Sequence, residues 1–213
     1  MVTVALLGSG DVGKTLAKGF LKYGYQVVVG TDHAEKLADF KNENPGVRID
    51  SFKQAASSAE LVVLCVKGTA AESVIEKAKA EISGKTIIDA TNPIADAPPE
   101  NGVLKFFTSL DESLLERLQK IAPDARFVKA LNSVGSAVMI NPAFGGTRPT
   151  MFICGNDGEA KKQVSHIMVQ FGFEVEDMGM AQSARAIEPL CILWCIPGFL
   201  RNEWTHAFKL LKK

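Results

Sequence analysis

The sequence predicts an α/β protein: a doubly wound parallel sheet followed by a small C-terminal helical extension. Three observations carry this expectation. Short, continuously apolar runs alternate with stretches of helical periodicity from the first residues to about residue 180. The runs are rich in β-branched residues and show no apolar/polar alternation, as expected for strands buried on both faces. A glycine-rich turn joins the first run to the first helical stretch. At 213 residues and about 150 residues per domain, the chain fits one large domain with an appendage, expected at 1–180 and 181–213.

Residues 2–7 read as the first strand. Beyond the turn, Val12, Leu16, Gly19, Phe20 and Tyr23 recur at three- and four-residue spacing, and Gly24 marks the helix stop. Residues 25–29 form a second strand. Ala34, Leu37, Ala38 and Lys41 then suggest a helix ending before Asn44-Pro45-Gly46. Strands over 47–49, 61–66 and 86–89 follow, with a helix around 70–79 between the last two. The Pro-, Asp-, Asn- and Glu-rich stretch from 93 to 102 is a surface loop. Leu114, Leu115, Leu118 and Ile121 make an amphipathic helix, 127–131 and 151–154 are strands, 164–171 is most of a helix and 173–175 is the last strand. From Ala181 the pattern is helical but punctuated by Pro189 and Pro197-Gly198, so two pieces with a break near Gly198 are expected. In the second piece Leu200, Trp204, Ala207, Phe208 and Leu211 would share one helical face, packed on the domain or on a dimer mate. A homodimer is the expectation.

Composition excludes several function classes. Lys plus Arg and Asp plus Glu each number 24, which leaves no broad basic footprint for nucleic acid or an anionic membrane. The longest uncharged apolar stretch, 189–200, holds two prolines and falls short of the roughly 18 residues a membrane span needs. The apolar start has no basic n-region or cleavage site. Cys65, Cys154, Cys191 and Cys195 all sit in apolar runs, so buried reduced thiols and a cytoplasmic location are expected. His33, His166 and His206 are scattered, and Cys191 and Cys195 have no second pair to complete a ligand set. No metal site is expected.

The chemistry-bearing motif is Gly8-Ser9-Gly10-Asp11-Val12-Gly13, a G-x-G-x-x-G string between a strand and a helix, where a dinucleotide fingerprint must lie. Gly8 would allow the tight turn, Gly10 the approach of a pyrophosphate to the backbone, and Gly13 close helix-to-strand packing. The pyrophosphate would rest on the helix N-terminus. The second strand ends in Gly30-Thr31-Asp32-His33, with Asp32 near the usual spacing for the residue that reads the ribose. A carboxylate there accepts from ribose hydroxyls, and it repels a 2′-phosphate by about 4 kcal/mol per charge pair at 4 Å and an effective dielectric of 20. Asp32 alone therefore argues for NAD. Two alternatives stand beside this: Thr31 and His33 as phosphate ligands, and Asp32 as a cap on the helix that begins at Ala34.

Five segments carry a resemblance: residues 6–14, 27–31, 89–93, 128–133 and 183–188, that is Leu-Leu-Gly-Ser-Gly-Asp-Val-Gly-Lys, Val-Val-Val-Gly-Thr, Asp-Ala-Thr-Asn-Pro, Val-Lys-Ala-Leu-Asn-Ser and Ser-Ala-Arg-Ala-Ile-Glu. In these the chain resembles the NADPH-dependent deazaflavin (coenzyme F420) reductases and the reductase domain of the STEAP metalloreductases, over nearly its whole length. The resemblance implies a Rossmann fold and hydride transfer between NADP(H) and a deazaflavin or flavin-like acceptor. It also implies that Thr91, Asn92, Pro93, Asn132, Ser133 and the backbone near Ala137 border the nicotinamide half. Thr91–Pro93 follow a strand, and ligands of open α/β sheets bind beyond the carboxyl ends of strands; the plain alternative is an Asn-Pro turn. Val66 and Lys67 likewise end an apolar strand and would line the nicotinamide ribose. Family members carry Ser-Arg or Thr-Arg after the second-strand glycine, whereas this chain has Thr31-Asp32. NADP is the expected cofactor, with NAD admitted by Asp32.

No catalytic residue is expected from the sequence. Hydride transfer to a planar ring needs two reacting atoms held near 3–3.5 Å rather than a placed acid. No Ser-Tyr-Lys or His-carboxylate arrangement offers a proton donor for a carbonyl or imine. Lys129 reads as a surface-facing or helix-covering lysine, His206 as a weak candidate, and Arg185 with Glu188 as a local ion pair. A small hydroxy-acid or imine dehydrogenase and a non-catalytic NAD(P) sensor are the alternatives.

Overall fold

In the computed structural model, which describes residues 1–213, the apolar runs become one eight-stranded sheet. The strands are β1 (Thr3–Leu7), β2 (Gln26–Gly30), β3 (Val47–Asp50), β4 (Leu61–Leu64), β5 (Thr86–Asp89), β6 (Arg126–Lys129), β7 (Thr150–Gly155) and β8 (Glu174–Asp177). Their order is β3-β2-β1-β4-β5-β6-β7-β8. The helices are α1 (Asp11–Lys22), α2 (Ala38–Glu43), α3 (Phe52–Ser57), α4 (Gly68–Ile82), α5 (Leu114–Ile121), α6 (Gly158–Gln170), α7 (Ala184–Ile187) and α8 (Leu190–Arg201).

Successive residues of a strand face opposite sides, and here both sides are covered. On one side Val4, Leu6 and Val63 pack with Leu16 and Phe20 of α1 and Val164 and Met168 of α6. On the other, Ala5, Leu7 and Leu64 pack with Val74 and Ile75 of α4, Leu114 and Leu115 of α5, and Ala184 and Ile187 of α7. This is the doubly wound Rossmann arrangement the alternation predicts.

Three features differ from the sequence reading. The sheet is parallel except where β6 meets β7, which run antiparallel. No α-helix lies between these strands, only a 3₁₀ turn at Ser136–Val138, so no crossover returns the chain in parallel. Secondly, α3 was not foreseen, although Ser51 caps it by accepting from Gln54 N at 3.3 Å. Thirdly, the C-terminal break falls at Glu188-Pro189, and α8 continues through Pro197-Gly198 to Arg201. Pro189 precedes α8, where the missing N–H costs no helical bond.

Beyond Asn202, which leaves α8 at φ 57°, the chain is not helical. The tail instead meets the start of β7, where Thr150 N donates to Phe208 O at 2.9 Å and Leu210 N donates to Thr150 Oγ1 at 3.0 Å. The helical stripe expected through Trp204 and Phe208 is therefore absent. Trp204 folds back over Gly198, its ring filling the space a side chain there would need. From Ala181 to Arg201 the helical run spans 21 residues, and by length and composition alone an 18-residue stretch within it is apolar enough to cross a membrane. The shorter stretch read from sequence missed this length. Here Ala184, Ile187, Cys191, Trp194 and Cys195 of that run are buried against the protein.

Candidate dinucleotide-binding site

Strand order reverses at β1, whose neighbours are β2 and β4. Connections leave the sheet in opposite directions there, and a crevice opens beyond the carboxyl ends of the strands. That crevice is a cleft of about 820 Å³. Its wall includes Gly8, Ser9, Gly10, Asp11 and Val12 from the first turn, Thr31, Asp32 and His33 after β2, and Val66 and Lys67 after β4.

The glycines of the turn differ in their reasons. At Gly8 (φ 139°) a Cβ would stand 2.5 Å from Cys65 O, and at Gly13 it would stand 2.2 Å from Gly8 O. Gly8 lets the turn pass close to the backbone that leaves β4, and Gly13 lets α1 pack against the turn. A Cβ on Gly10 meets nothing within 4 Å, so what requires glycine there is the space itself. Gly10 is also the N-cap of α1 and has no side chain to bond its first N–H groups, which leaves those donors and the positive helix end for an anion. The residues present thus fit a pyrophosphate. Gly13 supports the turn from behind and does not line the cleft.

After β2 the loop is pinned by Thr31. Its Oγ1 accepts from His33 N at 3.1 Å and lies 3.0 Å from Ser9 Oγ. Asp32 does not cap the following helical turn: no side chain does, and its Oδ2 instead accepts from Lys77 Nζ of α4 at 2.8 Å. The capping alternative is corrected accordingly. His33 Nδ1 lies 3.4 Å from Glu35 Oε1.

A second cleft of about 300 Å³ adjoins the first and shares Val66, Lys67 and Thr69 with it. Thr91 and Asn92 line this second cleft, whereas Pro93, Asn132, Ser133 and Ala137 line neither. Asn132 is joined to Asn92 from behind: Asn92 Nδ2 donates to Asn132 O at 2.7 Å, and Asn132 Nδ2 donates to Asn92 Oδ1 at 3.2 Å. Asn132 Nδ2 also donates to Ile187 O at 2.9 Å. Ser133 is buried and Ala137 exposed.

Beneath this cleft lies a charged network that the sequence reading missed. Lys129, expected at the surface, is fully buried. Its Nζ is 2.6 Å from Asp89 Oδ2, an ion pair whose angle is outside hydrogen-bond geometry, 2.9 Å from Glu188 Oε1 and 2.9 Å from Thr91 O. Asp89 Oδ1 accepts from Thr91 N (2.9 Å) and Thr91 Oγ1 (2.6 Å). Burial pushes the Lys129 pKa down, but the Asp89 and Glu188 carboxylates outweigh it and leave the ammonium above its ordinary value. It is a fixed cation, not a proton donor. Glu188 carboxylate oxygens also accept from Leu114 N and Leu115 N at 3.0 Å, at the start of α5. Arg185 pairs with Glu116 rather than with Glu188, donating through Nε at 2.9 Å and Nη2 at 2.6 Å. His206 lies stacked on Trp194 with Nε2 2.9 Å from Trp194 O. Neither Lys129 nor His206 is free to donate a proton to a substrate. Burial raises the Cys65 thiol beside the first turn to about 12, so it is an inert wall.

Sequence reasoning also missed the α4 wall: Thr69, Ser73 and Lys77. Their four-residue spacing puts them on one helical face, a signal present in the sequence.

Fold and cleft together define the class: a doubly wound dinucleotide fold with its fingerprint turn at the switch point. The profile of the family described as NADP oxidoreductase coenzyme F420-dependent matches residues 3–93. The F420-dependent NADP reductase of Methanocaldococcus jannaschii is 28% identical over 202 residues, 88% of each chain. Metalloreductase STEAP3 of Rattus norvegicus is 30% identical over 203 residues, 92% of this chain. The chain spans 38% of that relative's length. A crystal structure from Arthrobacter sp. FB24, provisionally described as an F420-dependent NADP-reductase, superposes over 100% of both chains with a TM-score of 0.92 at 28% identity. Over most of its length the chain is thus similar to F420-dependent NADP reductases.

Proposed function

We propose that this chain is an NADP-dependent oxidoreductase that moves a hydride between NADP(H) and a planar deazaflavin or flavin-like acceptor. The observation that carries the reading is the fingerprint turn with an open Gly10 at the switch point, in a chain similar over 88% of its length to an F420-dependent NADP reductase. In this reading residues 1–180 bind the dinucleotide. Gly8, Ser9, Gly10, Asp11, Val12 and Gly13 form the pyrophosphate turn, and Thr31, Asp32 and His33 the adenosine end. Val66, Lys67, Thr91 and Asn92 border the nicotinamide half, with Asn132 bonded to Asn92 from behind and Pro93, Ser133 and Ala137 outside the two clefts.

Bound NADPH would supply the hydride; the chain's work is to bind and orient. The uncapped start of α1 holds the pyrophosphate. Lys129 and Asp89 hold the Thr91 backbone, and the Asn92–Asn132 pair fixes the next residue. A rigid floor of this kind favours a near-attack arrangement of two flat rings. The fixed positive charge of Lys129 argues against the dehydrogenase alternative, which needs a titrating donor.

The reading includes a homodimer formed through α8, where Leu193, Phe199 and Leu200 stand 55%, 44% and 56% exposed. The four free, buried cysteines suit a cytoplasmic setting. Anaerobic stopped-flow oxidation of NADPH against a deazaflavin, FMN, FAD and a quinone tests the acceptor class. Fastest turnover with the deazaflavin or a flavin supports it; turnover with the quinone alone refutes it.

A further inference from the structure

The chain lacks the arginine that its resemblance leads one to expect after β2, and has Asp32 there instead. The structure puts a cation at the same place from a different element. Thr69, Ser73 and Lys77 form the α4 wall of the cleft, and Lys77 is the member that reaches the end of β2, with Nζ 2.8 Å from Asp32 Oδ2. The ammonium also lies 6.0 Å from the centre of the Phe52 ring, another wall residue.

We propose that Lys77 is the specificity-determining residue of the cofactor site: the cation that takes the 2′-phosphate of NADP, with Asp32 as its counter-ion when no phosphate is bound. This rests on the dinucleotide reading above. The adenosine ribose of such a fold lies at the end of the second strand, within reach of Asp32. The cleft wall holds three basic residues, His33, Lys67 and Lys77, and neither Lys36 nor Arg48 lines it. His33 faces Glu35, which lies outside the cleft, and Lys67 lies where the two clefts join.

Lys77 and Asp32 are 53% and 50% exposed, so their pair is weakly held and easily exchanged. A phosphate dianion offers the ammonium a stronger partner than a single carboxylate does. An ammonium held between the two anions also screens the repulsion between Asp32 and the phosphate. Specificity then comes from a lysine on the fourth helix in place of an arginine on the second strand's loop.

The test is calorimetric binding of NADPH and NADH to the full chain and to Lys77→Gln, Lys77→Arg and Asp32→Asn, with thermal melts to verify folding. Lys77→Gln is expected to weaken NADPH by at least about tenfold, roughly 1.4 kcal/mol, while NADH stays within about twofold. Lys77→Arg retains the preference, and Asp32→Asn tightens NADPH by releasing the ammonium. If Lys77→Gln leaves the NADPH:NADH ratio within about twofold of wild type, by touching neither affinity or lowering both alike, the assignment of Lys77 is overturned while the NADP reading stands. A wild type that binds neither dinucleotide, or prefers NADH tenfold, overturns the reading itself and this inference with it.

Discussion

Lys129 and Glu116 show how single side chains set stability here. Lys129 neutralises Asp89 and Glu188 in a site with no water access. Lys129→Met leaves two buried carboxylates without a cation and is expected to destabilise the protein by about 3–5 kcal/mol. Urea unfolding measures this, and adding Glu188→Gln should recover part of the loss; a neutral Lys129→Met would show that the network is dispensable. Glu116 accepts from Arg185 and from Ser113, which together hold its carboxyl at about 2. With the folded pKa depressed, its contribution is full above about 4.5 and fades as pH falls toward 2. Glu116→Gln should therefore flatten the stability profile between those values and leave it unaltered in slope near neutrality. Solvent near the partly exposed Arg185 reduces the size of the effect, and equilibrium unfolding across pH 2–6 reads it. Leu131, buried between Lys129 and Asn132, holds φ 64°. Such backbone strain collects where geometry matters. None of this network was legible in sequence. Asp89 and Lys129 each look isolated in an apolar run, and only the β5–β6 register, which pairs them directly, brings them together.

The elements were more legible than the residues, because strand and helix periods are local. The fingerprint turn is the clearest case. Gly10 faces open space and Gly13 faces the Gly8 carbonyl, so the two glycines predict opposite outcomes. Gly10→Val should keep the melting temperature within a few degrees and abolish dinucleotide binding, because its side chain fills the pyrophosphate space. Gly13→Ala should lower both, since the Gly8 backbone must move. Calorimetry and melts on the pair separate the roles; equal damage to the fold by both would refute the distinction. Where the element reading erred, a non-local partner was responsible. The expected helix through Trp204 and Phe208 gives way to hydrogen bonds from the tail to Thr150, sixty residues away in sequence. α3 escaped notice for a different reason: six residues are too few for a period to show, although Ser51 and Gln54 form a capping signal.

For the whole molecule, fold class and cofactor class follow from the alternation of elements and one motif, whereas the acceptor and the assembly depend on surfaces that no periodicity encodes. The apolar face of α8 gives the assembly prediction. Leu193→Glu with Leu200→Glu should convert a dimer to a monomer without altering the melt of the dilute protein by more than a few degrees. Light scattering decides, and a wild type that is monomeric at high concentration rules the interface out. The reaction itself is the larger claim: an aligned pair of flat rings and no proton donor, hence direct transfer. NADPH carrying deuterium at both C4 positions, mixed anaerobically with a deazaflavin in ordinary water and analysed by mass spectrometry, reports on it. Deuterium found in the reduced deazaflavin, one atom per turnover, is the expected result; solvent hydrogen in its place, or no oxidation of NADPH, would contradict it.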